Sequence, residues 1–272
     1  MLRRPIPRSS EELPVVGLGT WQTFDPPTAS ADALARLEST LRVLHLSGGR
    51  VVDSSPMYGK SEEIAGRLSR QIGINPELFI ATKVWTTGRD AGIRQMETSL
   101  RLFGRTQIDL MQIHNLVDWR THIATLRDWK AGGRIRYIGI THYTPSAYDD
   151  VERVMRQEKP DFVQIAYSIG VRDAATRLLP LTADLGIGVL VNRPFEGGGL
   201  FAHARTKPLP DFVQPFAQSW AQAFLKFILA EPAVTCVIPG TGNPDHMRDN
   251  VAAGSGRLPT RDECRELVRF LT

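Results

Sequence analysis

Apolar positions along the chain follow two alternating rhythms. Short apolar runs stand at residues 15–18, 50–53, 78–83, 108–113, 135–140, 162–166, 187–191 and 234–238. Between them, apolar residues recur at spacings of three and four, which puts them on one face of a helix. Leu34, Leu37, Leu41 and Leu44 form one such stripe, stopped by Gly48-Gly49. Ile93, Met96, Leu100 and Phe103 form another, and Ile123 with Leu126 a third, stopped by Gly132-Gly133. Residues 61–69 read as a helix and residues 262–271 as a short closing one. A strand-like run recurs at roughly every 25–35 residues, as parallel strand–helix–strand crossovers require. Eight such units predict an α/β fold, a closed (β/α)8 TIM barrel. No Pro/Gly/Ser-rich linker divides the chain, so residues 1–272 read as a single domain. No G-x-G-x-x-G follows the first run, which disfavours a doubly wound dinucleotide-binding sheet.

Composition adds exclusions more than identity. The hydrophobic share of 42% and the charged share of 23% over 272 residues are those of a globular protein, not of a disordered chain or coiled coil. The net charge of +4 is spread along the chain with no run of five or more like charges, which is not the footprint of a nucleic-acid binder. Cys236 lies in an apolar run and Cys264 has no spacing partner, so neither a disulfide framework nor a metal site is expected. No apolar stretch is long enough to span a membrane. The Arg3-Arg4 pair near the start is not followed by an apolar export segment. The expected location is cytoplasmic.

In a barrel of this kind, chemistry sits where the strands end. Gly19-Thr20-Trp21 follow the first run, and Asp53 ends the second with Tyr58 five residues on. Lys83 ends the third, His114 follows the fourth and Thr141-His142 follow the fifth. Gln164 lies near the end of the sixth, Asn192-Arg193 follow the seventh, and Gly240-Thr241 follow the eighth. Asp, Tyr, Lys and His from consecutive strands form a coherent set. A tyrosine with an ordinary pKa near 10 is a weak acid at neutral pH. A neighbouring ammonium favours its phenolate, a carboxylate holds that ammonium, and an imidazole can orient a carbonyl oxygen.

The elements Gly17-Leu18-Gly19-Thr20-Trp21, Val52-Asp53-Ser54-Ser55-Pro56-Met57-Tyr58-Gly59-Lys60-Ser61-Glu62, Ala81-Thr82-Lys83-Val84, Ile108-Asp109-Leu110-Met111-Gln112-Ile113-His114 and Ile138-Gly139-Ile140-Thr141 resemble those of the aldo-keto reductase family. The resemblance covers nearly the whole chain. It implies a barrel that reduces aldehyde and ketone carbonyls with a nicotinamide cofactor through a catalytic tetrad, here Asp53, Tyr58, Lys83 and His114. Tyr58 would be the general acid, Lys83 paired to Asp53 would tune it, and His114 would orient the carbonyl. The cofactor would run past Thr20, Trp21 and Asp53, with Thr141, His142 and Gln164 toward its carboxamide. His142 departs from the family's usual Asn. Asn192 stands where many members have a stacking Tyr, beside Arg193, which could stack or meet a diphosphate oxygen.

The eighth strand end departs furthest. Many members place a Lys and an Arg on the adenosine 2′-phosphate. This chain has Gly240 at the Lys position, followed by Thr241, and His246 at the Arg position, with Arg248 two residues on and Asn250 at the adenine-side position. On the family's habit NADP(H) is favoured, with NAD(H) as the alternative. Trp21, Trp85 and Trp119 are the candidate walls of the substrate pocket, and a short C-terminus implies an open one. Two other readings compete. One is a cofactor-binding regulatory subunit of the same fold without turnover. The other is a metal-dependent hydrolase on Asp53, His114 and His142, disfavoured because Lys83 would repel a metal beside Asp53. The expected partner is a small-molecule carbonyl substrate. Nothing in the chain identifies that substrate or the oligomeric state.

Overall fold

The computed structural model describes residues 1–271. Eight strands, β3 (Leu18–Gly19), β4 (Val51–Asp53), β5 (Phe79–Val84), β6 (Ile108–Ile113), β7 (Ile135–His142), β8 (Phe162–Ala166), β9 (Gly188–Asn192) and β10 (Cys236–Val237), pair in chain order, all in parallel. Bridges Val16↔Val237 and Gly19↔Gly240 join the last strand to the first. The sheet therefore closes, and the (β/α)8 barrel expected from the repeat is present.

Helices α1 (Ala31–Leu46), α2 (Ser61–Gln71), α3 (Arg89–Phe103), α4 (Trp119–Ala131), α5 (Tyr148–Glu158), α6 (Asp173–Thr176), α7 (Leu178–Leu185), α8 (Gly199–Ala204), α9 (Trp220–Leu229) and α10 (Pro244–Ala252) connect successive strands, and α11 (Arg261–Leu271) closes the chain. The Leu37/Leu41/Leu44 stripe is buried, and Ser30 caps α1 by accepting from the Ala33 N–H. In α9 the apolar residues from Ala223 to Leu229 are buried on every side, and even Lys226 is buried, its ammonium donating to the Ser255 and Arg257 carbonyls. Such a helix has no polar face and so no period for the sequence to display.

The core has two parts. Outward-facing strand residues and the helix stripes form the larger one. Val51, Phe79, Leu110, Phe162, Leu190 and Cys236 fill the barrel interior near the strand starts. A hairpin not expected from the sequence, β1 (Arg3–Pro5) with β2 (Glu12–Pro14), joins this inner cluster through Ile6 and Leu13. Arg4 ties it to the barrel by donating to the Glu231 carbonyl at 2.9 Å, and Arg136 pairs with Glu11. The hairpin thus plugs one end of the barrel and leaves chemistry to the other.

Candidate active site

β4 ends on Asp53 and β5 carries Lys83, both essentially sealed from solvent. The Lys83 ammonium donates to Asp53 Oδ2 and to the Ser54 carbonyl, each at 2.7 Å. The second Asp53 oxygen, Oδ1, accepts from the amide of Gln164 at 2.7 Å and from that of Gln112 at 3.1 Å. Strand register explains the convergence, since Lys83 stands opposite Gln112 and Thr141 opposite Gln164. Lys83 Nζ lies 5.0 Å from the centre of the Tyr58 ring.

Tyr58 sits on the β4–α2 turn, its N–H donating to the Ser55 carbonyl. The turn is anchored by Asp25, whose Oδ1 accepts from the Lys60 N–H at 3.1 Å. Gly59 has φ +59, and a Cβ there would meet Asp25 Oδ2 at 1.9 Å, so both the backbone angle and the space require glycine. His114 follows β6, with its Nδ1 3.0 Å from Ser55 Oγ and its ring edge-on to Tyr58 at 5.8 Å between centroids.

Burial pushes the Tyr58 phenol up. Lys83 pulls against that and Asp53 adds to it, so the net direction is upward. The expectation that Lys83 lowers this pKa holds for its own contribution, but desolvation outweighs it, and Tyr58 keeps its proton at neutral pH. Burial by itself would lower the Lys83 pKa. The Asp53 carboxylate and Tyr58 outweigh it, and the group stays an ammonium. Burial, Lys83 and His142 depress His114 to about 3, so its imidazole is neutral.

These groups open onto a cavity of about 730 Å³. Of the residues singled out from sequence, Thr20, Trp21, Asp53, Tyr58, Trp85 and His114 line it on one side, and Thr141, Gln164, Asn192, Arg193 and Gly240 on the other. Lys83 lies behind Tyr58 and does not reach the cavity surface. Five of the seven most exposed large apolar side chains among the described residues ring the opening: Trp21, Met57, Trp85, Tyr143 and Phe201. Thr241, His246 and Asn250 line a second cavity of about 410 Å³, which shares Phe195, Phe201 and Gly240 with the first.

Three expected contacts are not made. Trp119 begins α4 and is buried in the outer core, with the Arg120 guanidinium over its ring at 4.4 Å, so it walls no pocket. His142 is still in β7, where successive side chains alternate sides. Thr141 therefore faces the cavity, while the His142 ring turns away, stacks on Tyr143 and accepts at Nδ1 from the Thr144 N–H. Arg248 is exposed on α10 and pairs with Asp245 at 2.5 Å, because helical spacing turns His246, Asp249 and Asn250 to the cavity and Arg248 away. The three residues of the metal reading are likewise not gathered, since His142 points outward while Lys83 occupies Asp53.

Sequence reasoning missed Gln112, Ser55, Asp25 and Asp249. For Gln112 a signal existed: it is two residues from the inward-facing Leu110, so a polar side chain was aimed into the barrel. A nicotinamide group fits the residues present. Asn192 Oδ1 is buried and has no hydrogen-bond partner, beside Gln164, whose Oε1 accepts from Asn192 Nδ2 at 3.4 Å. An orphaned acceptor at the cavity wall calls for a donor such as a carboxamide N–H2.

A parallel barrel with a proton-holding tyrosine over a buried ammonium at its strand ends defines an oxidoreductase-type site on a TIM barrel. The family model described as "Aldo/keto reductase family" matches residues 15–267. An aldo-keto reductase of Mycobacterium sp. (strain KMS) is 30% identical over 262 aligned residues, covering 92% of this chain and 87% of that protein. The NADH-specific methylglyoxal reductase of Escherichia coli (strain K12) is 24% identical, covering 100% of this chain and 99% of that one. Among solved structures, a Klebsiella pneumoniae aldo-keto reductase in complex with NADPH superposes with a TM-score of 0.81 at 22% identity, covering 100% of this chain and 96% of that one. The chain belongs to the aldo/keto reductase family, and so to the NAD(P)H-dependent oxidoreductases that reduce carbonyls. Among the described residues, no helix is long and apolar enough to cross a membrane.

Proposed function

We propose that the chain, acting as a single barrel unit, reduces aldehyde or ketone carbonyls to alcohols with Tyr58 as the proton donor. The observation that carries this reading is the Lys83–Asp53 pair buried directly behind a protonated Tyr58, with neutral His114 alongside.

When bound, a reduced nicotinamide supplies hydride to the carbonyl carbon. Thr141, Gln164 and Asn192 would hold its carboxamide end, and Arg193, which lines the same cavity, would meet the diphosphate. The substrate oxygen takes its proton from Tyr58 Oη. The phenolate left behind is stabilised by the Lys83 ammonium, which Asp53 holds in place, and water then reprotonates Tyr58. His114 is neutral and, with Ser55 Oγ donating to its Nδ1, would donate to the carbonyl oxygen from Nε2. The aromatic rim and open mouth suit bulky, apolar carbonyl compounds rather than charged ones.

Cofactor oxidation with an activated aldehyde such as 4-nitrobenzaldehyde tests this. Turnover in the wild type that is lost in Tyr58→Phe, with cofactor binding intact, is the expected result. Turnover retained in that variant would remove Tyr58 from its role.

A further inference from the structure

Trp85 stands at the cavity wall 42% exposed, one residue past the end of β5. A side chain in that position ordinarily moves with its loop. Here the loop is held by side chains from two helices and the residue before one of them. β5 pairs with β6 as far as Val84, opposite Ile113. At Trp85 a single side chain takes over from that ladder. Gln95, on α3, accepts from the Trp85 N–H through Oε1 at 2.6 Å and donates through Nε2 to the Trp85 carbonyl at 3.2 Å. A carboxamide carries a donor and an acceptor side by side on one rigid plane, so it can serve both peptide groups of one residue as a neighbouring strand would.

The residues that follow are tied from the other side. His122, on α4, meets the Thr86 carbonyl with Nε2 at 2.7 Å. A carbonyl only accepts, so Nε2 carries the proton. The ring is buried, and it fits because Gly92 has no side chain: a Cβ there would meet His122 Cε1 at 2.6 Å. The Gly88 N–H donates to Asp118 Oδ2 at 2.8 Å. Asp118 lies four residues after His114, so the segment that carries Trp85 and the segment that follows His114 share an anchor. The Trp85 indole is 6.4 Å from the His114 ring between centroids.

The consequence for substrate choice rests on the proposed function. A carbonyl oxygen held by Tyr58 and His114 leaves the group bonded to its carbon within reach of the Trp85 ring. Aromatic pairs favour particular offset or edge-on arrangements, so a fixed indole rewards a flat, rigid partner. An indole already held in place loses no freedom when that partner arrives.

We propose that Gln95 is a positioning residue which presets Trp85 as a fixed aromatic platform, and that the platform biases the enzyme toward carbonyls bonded directly to an aromatic ring. A small aliphatic aldehyde gains little from the platform and is indifferent to Gln95.

Cofactor oxidation by the intact protein with 4-nitrobenzaldehyde and with propanal tests this, in the wild type, Gln95→Met, Trp85→Ala and the double variant. Gln95→Met keeps the length and helix preference of the side chain and removes both hydrogen bonds. It is expected to lower kcat/KM for the aryl aldehyde about three- to tenfold, the worth of an aromatic pair, and mainly through KM, since stacking is alike in ground and transition states. Propanal should stay within about twofold by the same reasoning. On a Trp85→Ala background the Gln95→Met effect should vanish, because the two changes remove one interaction. A readout on the wild type covers a variant that folds poorly: by NMR the Trp85 amide should exchange slowly although the residue is exposed. An equal fall for both aldehydes, no fall for the aryl one, an undiminished Gln95→Met effect without Trp85, or a Trp85 amide that exchanges freely overturns the role of Gln95 while leaving carbonyl reduction standing. A wild type that turns over neither aldehyde overturns both.

Discussion

Replacing Tyr58 with Phe removes one hydroxyl from a half-buried turn, so stability should change by less than about 1 kcal/mol. Carbonyl reduction should fall at least about 10²-fold, the scale of a lost positioned acid. Steady-state rates alongside a thermal melt check both halves. Lys83→Met differs in kind, because Asp53 would keep its two glutamine donors but lose its only cation. Breaking a buried pair in this way costs about 3–5 kcal/mol, so denaturant midpoint and turnover should both drop. His114 makes the pH prediction. Its folded pKa of about 3 lies below the ordinary value of 6.5, so between those limits the unfolded chain binds a proton that the folded one refuses. Its contribution to stability is therefore intact above pH 6.5 and is lost as pH falls toward 3, by up to about 1.4 kcal/mol per pH unit. Urea titrations from neutral pH downward should show a shallower acid limb in His114→Gln than in the wild type. An identical limb would mean that the imidazole charges in the folded protein.

At the scale of elements, the turn that carries Tyr58 depends on a contact across the barrel mouth. Gly59→Ala forces a Cβ into Asp25 at a left-handed backbone angle. The expected loss is about 1–2 kcal/mol of stability, together with a fall in kcat as Tyr58 shifts off Lys83. A melt and a rate measurement on one sample decide whether the turn positions the acid. The polar strand ends were legible because each polar residue follows an apolar run. The α10 face was not, because Arg248 and Asp249 are neighbours in sequence and only the helix's rotation sends one to solvent and the other to the cavity. For the same reason Thr141 and His142 part company, since β7 runs two residues further than its apolar pattern.

Across the whole molecule, stability and chemistry occupy opposite ends of the barrel. Ile6 and Leu13 plug the strand-start end, while Asp53, Tyr58, Lys83 and His114 lie where the strands finish. Ile6→Ala should therefore lower stability by about 2–5 kcal/mol, as large-to-small changes in a core do, with kcat/KM unchanged below the melting temperature. A matching fall in kcat/KM for the folded enzyme would show that the plug is coupled to the active face. The hairpin escaped the sequence pattern because its strands are three residues each, too short to show a period.

The repeat of apolar runs and helical stripes was enough to determine a closed parallel barrel, since eight crossover units have few other ways to bury both faces of their strands. The same repeat located Asp53, Tyr58, Lys83 and His114, because barrel chemistry gathers at strand ends. Only the tertiary structure could decide what those groups experience. Burial of the Tyr58 ring outweighs the pull of Lys83, two glutamines from other strands share Asp53, and Trp119 is consumed by the core. It also decided the charge of the second cavity, where Asp249 faces in and Arg248 faces out. Desolvation and side-chain direction depend on what lies across the fold, and no local pattern in the chain encodes that.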